Sequence, residues 1–356
     1  MKTSAYTKWQ REFIENAKTT NTPVVGMYEL TSRCNLDCKM CYVHNQDNQL
    51  VLSQELTTEQ WKSIFDQAYQ NGLFFATLTG GECLLRSDFK ELYLYLWKKG
   101  IKVSILTNGT MINEEYLQFF KQFPPDFIQI SLYGSDDAHY YDVTGHHMYE
   151  KAAWAIKQLV ESKNDVRVAV TASRYLQDDY IKILKYCKQN GYTLANIEMF
   201  LFPNRDNPEK NDYYLTEDEI VSLCKERALL FGQNLEVRVD VPETGKACGK
   251  SPLNGTTCTA GNCRAFVSWE GKMYPCANMM IGGYDVLAEG YEAAWRKTAA
   301  ITNTVVNAAE CVDCAYKEIC PKCPAMRLTD FFDGHCNKAT CYITREKFRL
   351  GIYNHL

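Results

Sequence analysis

The stretch Cys34-Asn35-Leu36-Asp37-Cys38-Lys39-Met40-Cys41 sets three thiols in the spacing C-x3-C-x2-C. It comes directly after the apolar run Val24–Leu30, so it reads as a loop at the end of a strand. Three thiolates on one loop can hold three irons of a [4Fe–4S] cube and leave the fourth iron open. An open iron can chelate a ligand and pass it an electron, whereas a four-cysteine site is closed to chemistry. A zinc loop is the competing reading, but a lone three-cysteine loop lacks zinc's fourth ligand.

Outward from this loop, the cysteines are unevenly placed. Of 16, only Cys83, Cys187 and Cys224 lie between Cys41 and Cys248, and the last ten run from Cys248 to Cys341. Gaps of a few residues suit metal ligation, because several thiolates must converge on one centre. A scatter of small buried hydrophobes would not cluster this way, although that reading suits Cys187. The start, Met1-Lys2-Thr3-Ser4, is polar and has no apolar export segment. A cytoplasmic placement is therefore expected, where thiols stay reduced.

Other classes recede on composition. Lys+Arg number 39 against 43 Asp+Glu, a net charge of −4, which argues against a nucleic-acid phosphate track. No apolar run of about 18 residues occurs, so no membrane span is expected. With 46% hydrophobic residues, the chain can bury a sizeable core and is not disordered.

Six apolar runs alternate with helix-period stretches: Val24–Leu30, Phe74–Leu78, Ile101–Leu106, Phe127–Leu132, Val166–Val170 and Ile197–Leu201. The helical stretches include Glu59–Gln70, Asp88–Lys98, Tyr149–Val160 and Asp178–Gln189. This alternation predicts an α/β fold with a parallel sheet of βαβ units. The expected organisation is a lead-in over 1–22, a core over 23–205, a bridging helical region over 206–247 and an irregular Cys-rich region over 248–356.

The chemistry gathers at the ends of the predicted strands. Gly80-Gly81-Glu82 follows the second, Asn108 the third, and Ser131 closes the fourth. Two glycines let backbone approach a ligand, and a carboxylate can take an ammonium group. C-terminal strand ends are where a β/α barrel puts its active site. Ordinary strand-to-helix turns remain an alternative for Asn108 and Ser131.

Together these motifs resemble the radical S-adenosylmethionine (radical SAM) superfamily. The resemblance implies a partial (β/α)6 barrel, a cluster on Cys34, Cys38 and Cys41, and SAM held by Gly80, Gly81, Glu82, Asn108 and Ser131. The family commonly has an aromatic residue just before the third cysteine, packing on adenine; here Met40 stands there, with Tyr42 just after. Cys83, where the family often has proline, is either a small filler or a hydrogen donor to a substrate radical.

The C-terminal spacings Cys258-x4-Cys263-x12-Cys276 and Cys311-x2-Cys314-x5-Cys320-x2-Cys323, followed by Cys341, resemble the SPASM extension of that superfamily. That extension is a small irregular α+β domain with two auxiliary [4Fe–4S] clusters. Carried over in order, Cys258, Cys263, Cys276 and Cys323 hold the first, and Cys311, Cys314, Cys320 and Cys341 the second, with Cys336 as rival to Cys341. The family's last gap is usually three residues and here is two, Cys320-Pro321-Lys322-Cys323. Zinc is the competitor for these C-x2-C pairs.

The resemblance implies three [4Fe–4S] clusters and SAM, with an electron donor such as flavodoxin or ferredoxin. SAM cleavage would give a 5′-deoxyadenosyl radical that takes hydrogen from a substrate. Family members with this extension mostly act on peptides, and many of those carry an N-terminal winged-helix domain; about 22 residues precede the first strand here. Layout then resembles anaerobic sulfatase-maturating enzymes, which place an Asp after the cysteine matching Cys276, where this chain has Ala277. The leading expectation is an oxidoreductase modifying a peptide or protein, with no nucleic-acid or membrane partner. The alternatives are a small-molecule or tetrapyrrole substrate, or a non-catalytic zinc or iron–sulfur protein. The Tyr- and His-rich stretch Tyr133–Tyr149 either lines the substrate face or fills amphipathic edges.

Overall fold

The computed structural model describes residues 4–43, 48–195, 201–202, 205, 212–235, 237, 255–256, 258–317, 319–320, 323–325 and 337–352. Among these residues the centre is one nine-stranded sheet in the order β6-β5-β4-β3-β2-β1-β7-β8-β9. Strands β1 (Val25–Glu29), β2 (Phe75–Thr79), β3 (Lys102–Thr107), β4 (Ile128–Ser131), β5 (Val166–Ala169) and β6 (Thr193–Leu194) pair in parallel, each with the next. Helices α3 (Thr58–Gln70), α4 (Phe89–Lys98), α5 (Glu114–Gln122), α7 (Tyr149–Glu161) and α8 (Gln177–Gln189) connect them. This is the expected βαβ alternation, since strands buried on both faces read as continuous apolar runs.

Local chemistry starts the helices where they start. Thr57 caps α3 by accepting from the Gln60 backbone N–H at 3.2 Å, while the Gln60 side chain returns to the Thr57 N–H at 2.8 Å. Thr216 and Glu219 form the same reciprocal cap on α9 (Glu217–Leu230). The inner face of α3 sends Trp61 and Phe65 against Tyr28 of β1, with Tyr28 and Phe65 ring centroids 5.0 Å apart. Such aromatic pairs anchor helix to sheet by area and by edge-to-face geometry.

The sheet does not end with the barrel strands. β7 (Arg264–Val267) pairs in parallel with the free edge of β1, Gly26 opposite Ala265, and β8 (Lys272–Tyr274) and β9 (Tyr284–Asp285) follow antiparallel. The Cys-rich region thus shares the barrel's sheet. Helix α1 (Ser4–Thr20) covers this junction, placing Phe13 and Ala17 against Val24, Phe75 and Cys263. Trp295 of α11 (Tyr291–Thr302) donates to the Asn21 carbonyl at 2.9 Å, and Asn21 donates to Gly261 and Asn262.

The expected sixth strand falls mostly where the structure is not described. Ile197–Leu201 lies, apart from Leu201, outside the described residues, and β6 sits at Thr193–Leu194. Helices α2 (Asn48–Gln54) and α6 (Asp137–Thr144) were not legible, the first for brevity and the second because its buried Tyr140, Val143 and Thr144 do not make an apolar stripe.

Candidate active site

The cysteine loop leaves β1 through Leu30, Thr31 and Ser32, all buried, and is clamped there by charge. The Arg33 guanidinium donates to Glu55 at 2.6 and 3.1 Å, and Arg86 donates to the carbonyls of Leu30 and Leu56 at 3.1 and 3.0 Å. Farther along, the Asp37 and Lys39 amides donate to Thr144 and Val143 at 2.9 and 3.0 Å, docking the loop on the end of α6. The Asn48 side chain brackets Cys34, accepting from its N–H and donating to its carbonyl. The loop is therefore fixed along its length before any ligand arrives.

Its thiols sit where a proton leaves with difficulty. Burial and then the Glu82 charge push the Cys34 thiol up to about 12, and burial with the charges of Cys41 and Cys34 pushes Cys38 up well above the ordinary range. Such groups become thiolates when a metal centre supplies the compensating charge. Asn108 donates through Nδ2 to the Cys34 sulfur at 3.8 Å and to Asn35 Oδ1 at 2.9 Å, while Asn35 donates to Thr110. Among the described residues, no three Cys, His, Asp or Glu groups stand together as a single-ion site requires. A cube bonds each thiolate to a different iron, so its ligands converge on one centre while standing farther apart than those of a single ion.

The two glycines have a cause within the chain itself. A methyl on Gly80 would strike the Thr31 carbonyl oxygen, and one on Gly81 the Arg33 carbonyl oxygen, both backbone atoms of the loop entrance. Gly81 and Glu82 donate their N–H groups to those same carbonyls at 2.9 and 2.8 Å. Glu82 is fully buried; its carboxylate accepts from the Leu84 and Asn108 amides at 3.0 and 2.7 Å and from the Thr107 hydroxyl at 2.8 Å. The segment thus splices β2, β3 and the cysteine loop into one unit.

The remaining expected residues divide. Ser131 is half-buried at the end of β4, next in sequence to buried Leu132 and near Tyr133. Met40 is buried in the main core. The Tyr42 ring lies under the Arg205 guanidinium, 5.5 Å from its centroid. The Cys83 thiol is fully buried, in a 3₁₀ turn, and donates to the Leu106 carbonyl at 3.4 Å. In Tyr133–Tyr149, Tyr140 fills the core, Tyr141 stacks on His147 at the surface, and His146 pairs with Asp37 at 3.0 Å.

The C-terminal cysteines fall into two groups. Cys276 and Cys323 share a small apolar cluster with Ala260, Met279, Val305 and Ala325. Burial chiefly pushes Cys276 up to about 11, the charges of Cys323 and Cys258 adding to it, and the Asn278 amide donates to its sulfur at 3.4 Å. Cys263 is fully buried beside β1, its carbonyl accepting from the Val25 N–H at 3.0 Å, while Cys258 is exposed. Separately, Cys311, Cys314, Cys320 and Cys341 line one cavity together with Tyr316 and Lys317. Cys341 is disulfide-bonded, so its sulfur must be reduced before it can ligate. Cys248 and Cys336 lie outside the described residues.

Residues 28–213, more than half of the chain, match the family model described as the Radical SAM superfamily. The chain belongs to that superfamily. This radical SAM enzyme is 23% identical over 327 residues to the AdoMet-dependent heme synthase of Methanosarcina barkeri, covering 86% of this chain and 92% of that one. It is 24% identical over 255 residues to the sporulation killing factor maturation protein SkfB of Bacillus subtilis, covering 71% of this chain and 60% of that one, less than two thirds of the relative. Among solved structures it shares its fold with native anSMEcpe bound to AdoMet and Kp18Cys peptide, at a TM-score of 0.67 and 20% identity over 92% of this chain and 96% of that one. Among the described residues, no helix is long and apolar enough to cross a membrane.

Within the radical SAM barrel, the sequence reading missed a buried ion pair at the mouth. Glu29, the last residue of β1, is 1% exposed and accepts from Arg205 at 2.8 and 3.0 Å. A carboxylate closing an apolar strand at a barrel's C-terminal end was a readable signal. Arg205, in a Pro/Asn-rich break, gave none.

Proposed function

We propose that this radical SAM enzyme modifies a peptide or protein, using three [4Fe–4S] clusters. The observation that carries the reading is the likeness in fold, over nearly the full length of both chains, to anSMEcpe solved with AdoMet and a peptide. The name of SkfB, a killing-factor maturation protein, supports it further. In this reading Cys34, Cys38 and Cys41 hold the SAM-cleaving centre. Cys258, Cys263, Cys276 and Cys323 hold a first auxiliary centre, and Cys311, Cys314, Cys320 and Cys341 a second. The cavity shared by that last set supports its assignment.

When bound, the open cluster with SAM supplies a one-electron cleavage and a carbon radical, fed by a donor of flavodoxin or ferredoxin type. The chain's own residues prepare that site. Arg33, Glu55 and Arg86 fix the loop entrance, and Asn108 aims a donor at the Cys34 sulfur. Gly80, Gly81 and Ser131, with Met40 and Tyr42 near the cluster, are the residues for SAM. Glu82 serves through its grip on Thr107 and Asn108. Cys83, buried with its thiol on the Leu106 carbonyl, is better supported as packing than as a hydrogen donor.

A tetrapyrrole substrate is the second reading, favoured by the heme synthase, of which this chain spans 92%. The separating experiment is anaerobic reconstitution, metal analysis, and incubation with dithionite and SAM. About twelve irons and 5′-deoxyadenosine are expected. Product is then sought by mass spectrometry with any short peptide found encoded beside the gene and, in parallel, with iron coproporphyrin. Turnover of the porphyrin alone overturns the peptide reading. Bound zinc without the nucleoside overturns both.

A further inference from the structure

We propose that Arg205, with its counter-ion Glu29, is a positioning residue that fastens the first auxiliary centre to the SAM-cleaving loop and sets the charge felt between them. The inference rests on the ligand assignment above. Three contacts carry it. The Arg205 backbone N–H donates to the carbonyl of Tyr42, the residue after Cys41, at 3.1 Å. The Arg205 guanidinium donates to the carbonyl of Ala277, the residue after Cys276, at 3.2 Å. The same guanidinium is paired to Glu29 on β1 at 2.8 and 3.0 Å. One residue, through its backbone N–H and its guanidinium, therefore links the strand beneath the cysteine loop, the end of that loop, and the turn bearing an auxiliary cysteine. The route Cys41–Tyr42–Arg205–Ala277–Cys276 is continuous, with two hydrogen bonds as its only non-covalent steps.

The pair is an expensive way to build a joint. Burying two charges strips both of their hydration before their attraction is counted, and an apolar contact of the same volume is often as stable. The guanidinium also lies 5.5 Å from the ring centroids of both Tyr42 and Phe266, which hold it in one place. Away from water, a fixed charge acts strongly over short distances. A cluster gains negative charge on reduction, so a neighbouring cation raises its potential and a neighbouring anion lowers it. A mechanical joint alone would not need charge; a joint that also tunes two redox centres would.

The test is a redox titration followed by electron paramagnetic resonance on the full chain, reconstituted anaerobically at pH 8.5 so that residue 29 stays ionised. Wild type, Glu29→Gln, Arg205→Met and Arg205→Lys are compared, each also with Cys34, Cys38 and Cys41 replaced by Ala to isolate the auxiliary signals. Potentials of both the SAM-cleaving and the first auxiliary centre are expected to rise in Glu29→Gln and fall in Arg205→Met. Arg205→Lys should restore the wild-type values. Should Arg205→Met fail to load iron, the upward shift in Glu29→Gln and the rescue by Lys still decide. Shifts of the same sign in both variants, or none in fully loaded protein, overturn the proposal. A wild-type chain that takes up no iron at the Cys276 set overturns the ligand assignment, and this inference with it.

Discussion

Glu82 shows how a residue can be legible in sequence while its work is not. Gly80-Gly81-Glu82 was readable as a strand-end motif, yet the acceptor role of its carboxylate toward Leu84, Thr107 and Asn108 depends on β3 lying beside β2. Removing that carboxylate leaves buried donors unsatisfied, at about 1–3 kcal/mol each. Glu82→Ala is therefore expected to lower the urea-unfolding stability of the reduced, metal-free chain by roughly 3 kcal/mol. Glu82→Gln, which keeps an acceptor oxygen, should lose clearly less. Equal losses in the two variants would mean that the carboxylate is held for something other than these donors. Arg205 is the opposite case: it lies about 160 residues past the loop it touches, and no local pattern marks it.

At the scale of elements, the first five strands were legible, while β2 and β3 run one residue past their expected ends, to Thr79 and Thr107. Glu29, Thr79, Thr107 and Ser131 are polar yet belong to β1 to β4, because the barrel mouth keeps its polar groups in the last strand positions. The strands β7 to β9 escaped notice because runs of four, three and two residues carry too little alternation to read. Two expectations belong here. Gly81→Ala should push the loop entrance away from β2, removing about a third of the iron and abolishing 5′-deoxyadenosine formation while the auxiliary signals persist; iron assay and electron paramagnetic resonance report both. The second concerns the joint between α3 and α4. Asp88 accepts from Arg86 at 2.7 and 2.8 Å and from the Thr58 hydroxyl at 2.7 Å. Burial pulls its carboxyl upward, but those hydrogen bonds and the Arg86 charge outweigh it and hold it below the usual range. A depressed carboxyl stabilises the fold above its unfolded value, near about 3.9, and that stabilisation is lost as pH falls through the folded one. The gap in urea midpoint between wild type and Asp88→Asn should thus be constant from pH 6 to 8 and close below about pH 4. A gap that persists in acid would assign the difference to packing.

On the scale of the whole molecule, the barrel class and the two cysteine regions were readable, while their fusion into one sheet was not, since β1 and β7 lie far apart in the chain. The two regions should nevertheless separate functionally. Cys34→Ala is expected to abolish SAM cleavage, and Cys341→Ala to leave it partly intact while removing product formation. Normal product from the second variant would withdraw Cys341 as a ligand. The pairing of β1 with β7 also bears on how the protein is made. During synthesis β2 can zip onto β1 once residue 79 is clear of the ribosome, but the other edge of β1 has no native partner until residue 267 has emerged. For that interval the nascent chain carries an open, apolar strand edge, the kind that recruits other chains. Slowed translation or an early stop between these two points should therefore yield aggregates instead of a soluble half-barrel, with helix α1, packed on Val24 and Phe75, as a neighbour already in place beside that edge.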